Sequence, residues 1–70
     1  MAIYAVGFFM DGKMVAVDGV EFMHLKNALR QLDGLKKERF FKKAGVEMRV
    51  VQILVKDKYG CVLRVKDVKL

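Results

Sequence analysis

Serine, threonine, proline and tryptophan are absent from this 70-residue chain, and cysteine and histidine occur once each. With no hydroxyl side chains other than the phenols of Tyr4 and Tyr59, serine and threonine nucleophiles are excluded. A single thiol, Cys61, permits no intrachain disulfide, and a single imidazole, His24, leaves no paired Cys and His spacing for a structural zinc site. The length is near the lower limit at which one apolar core sustains folding, so residues 1–70 are expected to form one small domain held by packing alone.

Long apolar runs are also missing. The longest, from Ala2 to Met10, is far short of the roughly 20 residues that cross a bilayer. No basic segment precedes it and Asp11 follows it, so it makes a poor signal peptide, and a cytoplasmic location is expected without membrane association. Even so, 54% of the residues are hydrophobic, a large share for a domain with little interior. The excess points to a homodimer or a protein partner covering part of the surface.

Charge is divided unevenly. Residues 1–35 hold three cations against four carboxylates, a net of −1, whereas residues 36–70 hold eleven against four, a net of +7. The basic character of the chain, +6 in total, belongs to its second half.

Along the chain, IYAVGFFM and KMVAV flank Asp11-Gly12, a strong hairpin signal because both central residues of a type I′ turn need positive φ. A two-residue turn there pairs Phe9 with Met14, Phe8 with Val15, Gly7 with Ala16 and Val6 with Val17. The small residues Ala5, Gly7 and Ala16 then share a face on which a helix is expected to lie. Asp18 and Glu21 have the spacing of a capping box, and Phe22, Leu25, Ala28, Leu29, Leu32 and Leu35 recur at helical spacing behind them. Gly34 is the expected stop, although Leu35 keeps the apolar register and would extend the helix by a turn. Beyond it, KKERFFKK at 36–43 loses that register and reads as a separate short helix or an irregular segment ended by Ala44-Gly45.

The remainder, VEMRVVQILVK and CVLRVKDVKL about a DKYG turn, reads as a second hairpin. With Lys58 and Tyr59 at the centre of the turn, Leu54 pairs with Leu63, Ile53 with Arg64, Gln52 with Val65 and Val51 with Lys66. Met48, Val50, Leu54, Cys61, Leu63 and Val65 then share one face. Arg49, Arg64 and Lys66 fall among the valines and Ile53 of the other. The fold class is α+β in ββαββ order, a mostly antiparallel sheet of about four strands with one main helix packed on one face. In length and element order this resembles a ubiquitin-like β-grasp domain. Its last residues, VKDVKL, lack the Gly-Gly pair of ubiquitin-like carriers, so the resemblance implies no carrier or sulfur-transfer role.

Little in the chain suggests catalysis. On a helix, Glu21 and Asn27 would neighbour His24, but no nucleophile or oxyanion donors accompany that set. Cys61 reads as a buried structural thiol on the core face. The remaining carboxylates are scattered, no glycine-rich phosphate loop is present, and neither metal nor cofactor is expected. A non-enzymatic role follows.

One constellation remains. Lys36, Lys37, Arg39, Lys42 and Lys43 would supply phosphate contacts and Phe40 and Phe41 would stack on unpaired bases, a combination that suits single-stranded nucleic acid better than duplex. Arg49, Arg64 and Lys66 would extend the track along the sheet. The competing reading is a protein interaction module or inhibitor, whose apolar and basic outer sheet face meets an acidic protein surface. More plainly still, lysines keep a small apolar domain soluble and one of the phenylalanines anchors the segment to the core.

Overall fold

The computed structural model describes residues 2–38 and 44–68, and in it Asp11 and Gly12 take φ of 52° and 78°, as a type I′ turn requires. They join β1 (Ile3–Met10) to β2 (Lys13–Val17). After them come α1 (Leu25–Lys36), β3 (Glu47–Lys56) and β4 (Val62–Asp67), the expected ββαββ order. The four strands form one sheet in the order β2-β1-β3-β4, and each neighbouring pair is antiparallel. Since β1 lies antiparallel between β2 and β3, those two strands run parallel, and α1 carries the chain across β1 from one to the other.

The first hairpin keeps the expected register only next to its turn. Met10 pairs with Lys13 and Phe9 with Met14, but Phe8 then faces Ala16 and Gly7 faces Val17, which leaves Val15 as the extra residue of a bulge. Gly7 therefore lies opposite Val17, not Ala16. The helix also takes the other face: α1 packs over Val6, Met48 and Val50, with Tyr4 and Phe8 at their side, and not over Ala5 and Gly7. Gly7 explains the choice. A Cβ added there would stand 3.0 Å from Cε1 of Phe9 and 3.3 Å from Sδ of Met14, so the space beside the glycine is already filled by side chains of its own sheet.

Helix α1 begins later than the capping-box spacing predicts. His24 is its N-cap and no side chain bonds the first turn. Residues 18–22 instead stay on the edge of β1. The Asp18 N–H donates to the Val6 carbonyl at 2.8 Å, and Phe22 exchanges two backbone hydrogen bonds with Tyr4 at 2.7 and 2.8 Å. The Asp18 carboxylate accepts from Nε2 of Gln31 at 2.9 Å, tying the middle of the helix to the sheet, while Glu21 pairs with Lys56. At the other end the helix runs through Gly34 to Lys36, with Lys37 as its C-cap. A helical glycine costs about 1 kcal/mol relative to alanine. Leu35, half-buried against the core, offsets this with part of the roughly 1.5–3 kcal/mol that a fully buried leucine contributes.

The second hairpin is shifted by one residue from the expected pairing. Asp57 N–H donates to the Cys61 carbonyl at 2.9 Å, and Gly60, at φ 85°, forms a three-residue loop with Lys58 and Tyr59. Asp57 Oδ1 holds that loop by accepting from the N–H groups of Tyr59 and Cys61, both at 2.9 Å. With one more residue in the loop, Ile53 faces Val65, Gln52 faces Lys66 and Val51 faces Asp67. Two further irregularities take Leu54 and Leu63 out of direct pairing, and both are exposed. A one-residue slip exchanges the faces of a strand. Cys61 accordingly is exposed at the hairpin tip and is not a core residue.

Beneath the sheet, on the side away from α1, Ala5, Phe9 and Val51 are buried within the single chain. The sheet curls enough for Met14–Gly19, next to one edge, and Gly60–Val62, at the start of the opposite edge strand, to line one hollow of about 450 Å³. Arg49 completes the cover, its guanidinium carbon 3.8 Å from the centre of the Phe9 ring.

Candidate nucleic-acid interface

The register of β4 decides which cations stand together. Gln52 pairs with Tyr4 on one side and Lys66 on the other, so these three residues share the face that Tyr4 presents to the helix layer. Arg64, two residues before Lys66, pairs with Val55 between two irregularities of the ladder. Arg49 pairs across from Gly7 and lies on the opposite face. The expected trio of Arg49, Arg64 and Lys66 on one face is therefore divided, because the turn has one residue more than a two-residue loop.

Arg49 is also engaged within the chain. Nη1 donates to Oδ2 of Asp67 at 3.2 Å. Nε lies 3.3 Å from Oε1 of Glu47, close enough for an ion pair but out of line for a hydrogen bond. Lys37 pairs with Asp33 at 3.6 Å, one helical turn back, and both side chains are well exposed. Lys36, Arg64 and Lys66 differ: among the described residues none of them has a carboxylate within ion-pair distance.

Two adjoining hollows lie along β4, the first between it and α1 and the second across β1, β3 and β4. Leu32, Lys36, Met48, Arg49, Val50 and Val68 contribute to the first, of about 300 Å³. Tyr4, Gln52, Lys66 and Val68 contribute to the second, of about 330 Å³. They share Asp67 and Val68 and make one trough of mixed apolar and polar lining, to which each hollow contributes one lysine without a carboxylate partner among the described residues. The trough exists because α1 lies over β1 and β3, the two central strands, and leaves β4 uncovered on its helix side.

The expectations for Arg39, Phe40, Phe41, Lys42 and Lys43 lie outside the described residues. Tyr4 and Gln52 were missed from the sequence, although Gln52 carried a signal as a neutral polar residue inside the apolar run VVQILV. Tyr59, 79% exposed at the β3–β4 tip with Lys58 Nζ 5.1 Å from its ring centre, was read only as part of a turn. His24 is exposed at the start of α1.

Among the described residues no group of three His, Cys, Asp or Glu side chains could hold a metal ion, and no helix is long and apolar enough to cross a membrane. No family model, curated protein or solved structure matches the chain. The likeness to ubiquitin-like domains thus rests on element order alone.

Proposed function

We propose that this protein is a small non-enzymatic nucleic-acid-binding accessory protein whose contact surface is the trough along β4. One observation carries the reading: Lys36, Arg64 and Lys66 are exposed without a carboxylate partner among the described residues, and Lys36 and Lys66 border the trough. Unpartnered cations retain their full attraction for phosphates, whereas Arg49 would have to give up two carboxylates and a ring. Beyond Lys37, the sequence adds Arg39, Lys42 and Lys43 with Phe40 and Phe41, which supports a basic, aromatic-containing track suited to single strands. Binding by this mechanism is electrostatic and largely independent of sequence, and weakens steeply as salt rises.

A salt titration of the purified protein against labelled single- and double-stranded oligonucleotides tests it. Micromolar or tighter binding with a steep salt slope is expected, stronger for the single strand. Absence of binding at low salt would overturn the proposal.

A second reading, a protein interaction module or a homodimer, is favoured by a different observation. Val15, Leu54, Val55 and Leu63 are all at least 40% exposed, and three of them lie where the strand ladders are irregular. The solution mass of the free protein separates a dimer from a monomer that presents this surface to another partner.

A further inference from the structure

The residues Tyr4, Gln52 and Lys66 stand in one straight row across β1, β3 and β4. At about 4.8 Å per strand the row spans roughly 10 Å. All three line the same hollow, together with Val68 and with Asp67, whose carboxylate is engaged by Arg49. Among the described residues, the Tyr4 hydroxyl, the Gln52 amide and the Lys66 ammonium make no hydrogen bond or ion pair.

Such a row is unusual for what it leaves unused. Gln52 is half-buried in the middle of β3 with apolar Val51 and Ile53 at its sides. A half-buried amide gains from a ligand that offers both a donor and an acceptor. The edge of a nucleobase offers both, and an aromatic neighbour supplies the face on which the base stacks. A lysine on the far side meets the phosphate as a point charge.

We propose that Tyr4, Gln52 and Lys66 form a subsite for one unpaired nucleotide of a single strand. Its base stacks on the Tyr4 ring, its base edge bonds the Gln52 amide, and its phosphate meets Lys66. The proposal rests on the nucleic-acid reading above and deepens it: the trough recognises bases as well as backbone charge. Paired bases are excluded, because their faces are stacked and their Watson–Crick edges are occupied.

The test compares two labelled single strands of about 12 nucleotides, within the usual site size of such modules. One is a homopolymer with bases, and the other has the same phosphates on an abasic backbone. The wild type is expected to prefer the strand with bases by roughly 5- to 100-fold, the range that stacking of a single base provides. Tyr4→Leu lowers that preference by the share one stacked base provides while the salt slope stays, and Tyr4→Phe keeps it; a preference unchanged in Tyr4→Leu would overturn the subsite. Gln52→Met narrows the differences among the four homopolymers. If Tyr4→Leu fails to fold, chemical-shift changes of the Gln52 side-chain amide in the wild type, titrated with each strand, give the same answer: they appear with bases and not with the abasic backbone. Equal affinity for both strands with a steep salt slope would overturn the subsite and leave nucleic-acid binding standing. No binding of either strand would overturn both.

Discussion

The guanidinium of Arg49 lies over the Phe9 ring at 3.8 Å and at the same time bonds Asp67 on the neighbouring strand. This places a charged group as the lid of an apolar layer that includes Ala5 and Val51. The guanidinium itself covers the ring with its Nε buried, while the carboxylates it pairs with are exposed, so water screens the two ion pairs to a few tenths of a kcal/mol each. Replacing Arg49 by alanine is expected to destabilise the fold by about 1–2 kcal/mol, mostly through uncovering Phe9. Arg49→Met, which keeps the stem, should recover part of the loss. Chemical denaturation of the two variants measures the difference, and an alanine variant as stable as the wild type would mean that the ring needs no cover.

Beneath that lid, Gly7 makes room for the ring. A methyl group at position 7 would stand 3.0 Å from Phe9 Cε1, 3.3 Å from Met14 Sδ and 3.4 Å from Val51 Cγ1. Alanine in a strand is normally favoured over glycine by up to about 1 kcal/mol, through the unfolded chain. Here overpacking, at about 1–3 kcal/mol, should win, because Arg49 holds the ring from the other side even though Met14 can move aside. Gly7→Ala is therefore expected to lower the melting temperature, and adding Phe9→Leu should remove most of the strain while giving up the stacking of Arg49 on the ring. A stabilised Gly7→Ala would show that the ring moves freely.

These details also mark where sequence reading stopped. The Asp11-Gly12 turn, the apolar stripe of Leu25, Ala28, Leu29, Leu32 and Leu35, and the element order were all legible, because each depends on local backbone preference or on periodicity. What failed was register. Val15 is a bulge that no residue type announces, and Gly60 adds one residue to a loop that DKYG allows in either length. Because strands alternate with period two, that single residue moved Lys66 to the helix side, took Cys61 out of the core and separated Arg49 from Lys66. The capping box failed for another reason: hydrogen bonds of residues 18–22 to β1 outcompeted an early helix start, a tertiary choice that local spacing does not contain. The trough was invisible from sequence because it arises from helix placement over β1 and β3.

The helix tolerates Gly34 at a cost that can be measured. The residue is exposed, lies within regular α1, and a Cβ there would meet nothing within 4 Å. Gly34→Ala is expected to stabilise the protein by about 0.5–1 kcal/mol. For a domain of this size that corresponds to a rise in melting temperature of a few degrees, at about 4–8 °C per kcal/mol. Gly60→Ala should act in the opposite direction, since its φ of 85° strains any residue with a Cβ, by about 1–2 kcal/mol. Thermal unfolding of the pair checks both signs, and a stabilised Gly60→Ala would contradict the three-residue loop and with it the register of β4.

That register sets the most direct contrast among the basic residues. Lys66 and Arg64 have no carboxylate partner among the described residues, whereas Arg49, at the edge of the first hollow, is held by Glu47 and Asp67. Removing one cation that neutralises a phosphate of a single strand flattens the logarithmic salt slope by about 0.7. Lys66→Gln and Arg64→Gln are each expected to do so, and together to flatten it by about 1.4. Arg49→Gln should leave the slope unchanged while lowering stability, because its charge is already engaged by two carboxylates. Affinity measured at four or more salt concentrations for the three variants separates these outcomes. A slope that falls with Arg49 and not with Lys66 would overturn the assignment of phosphate contacts to the unpartnered cations and centre the interface on Arg49.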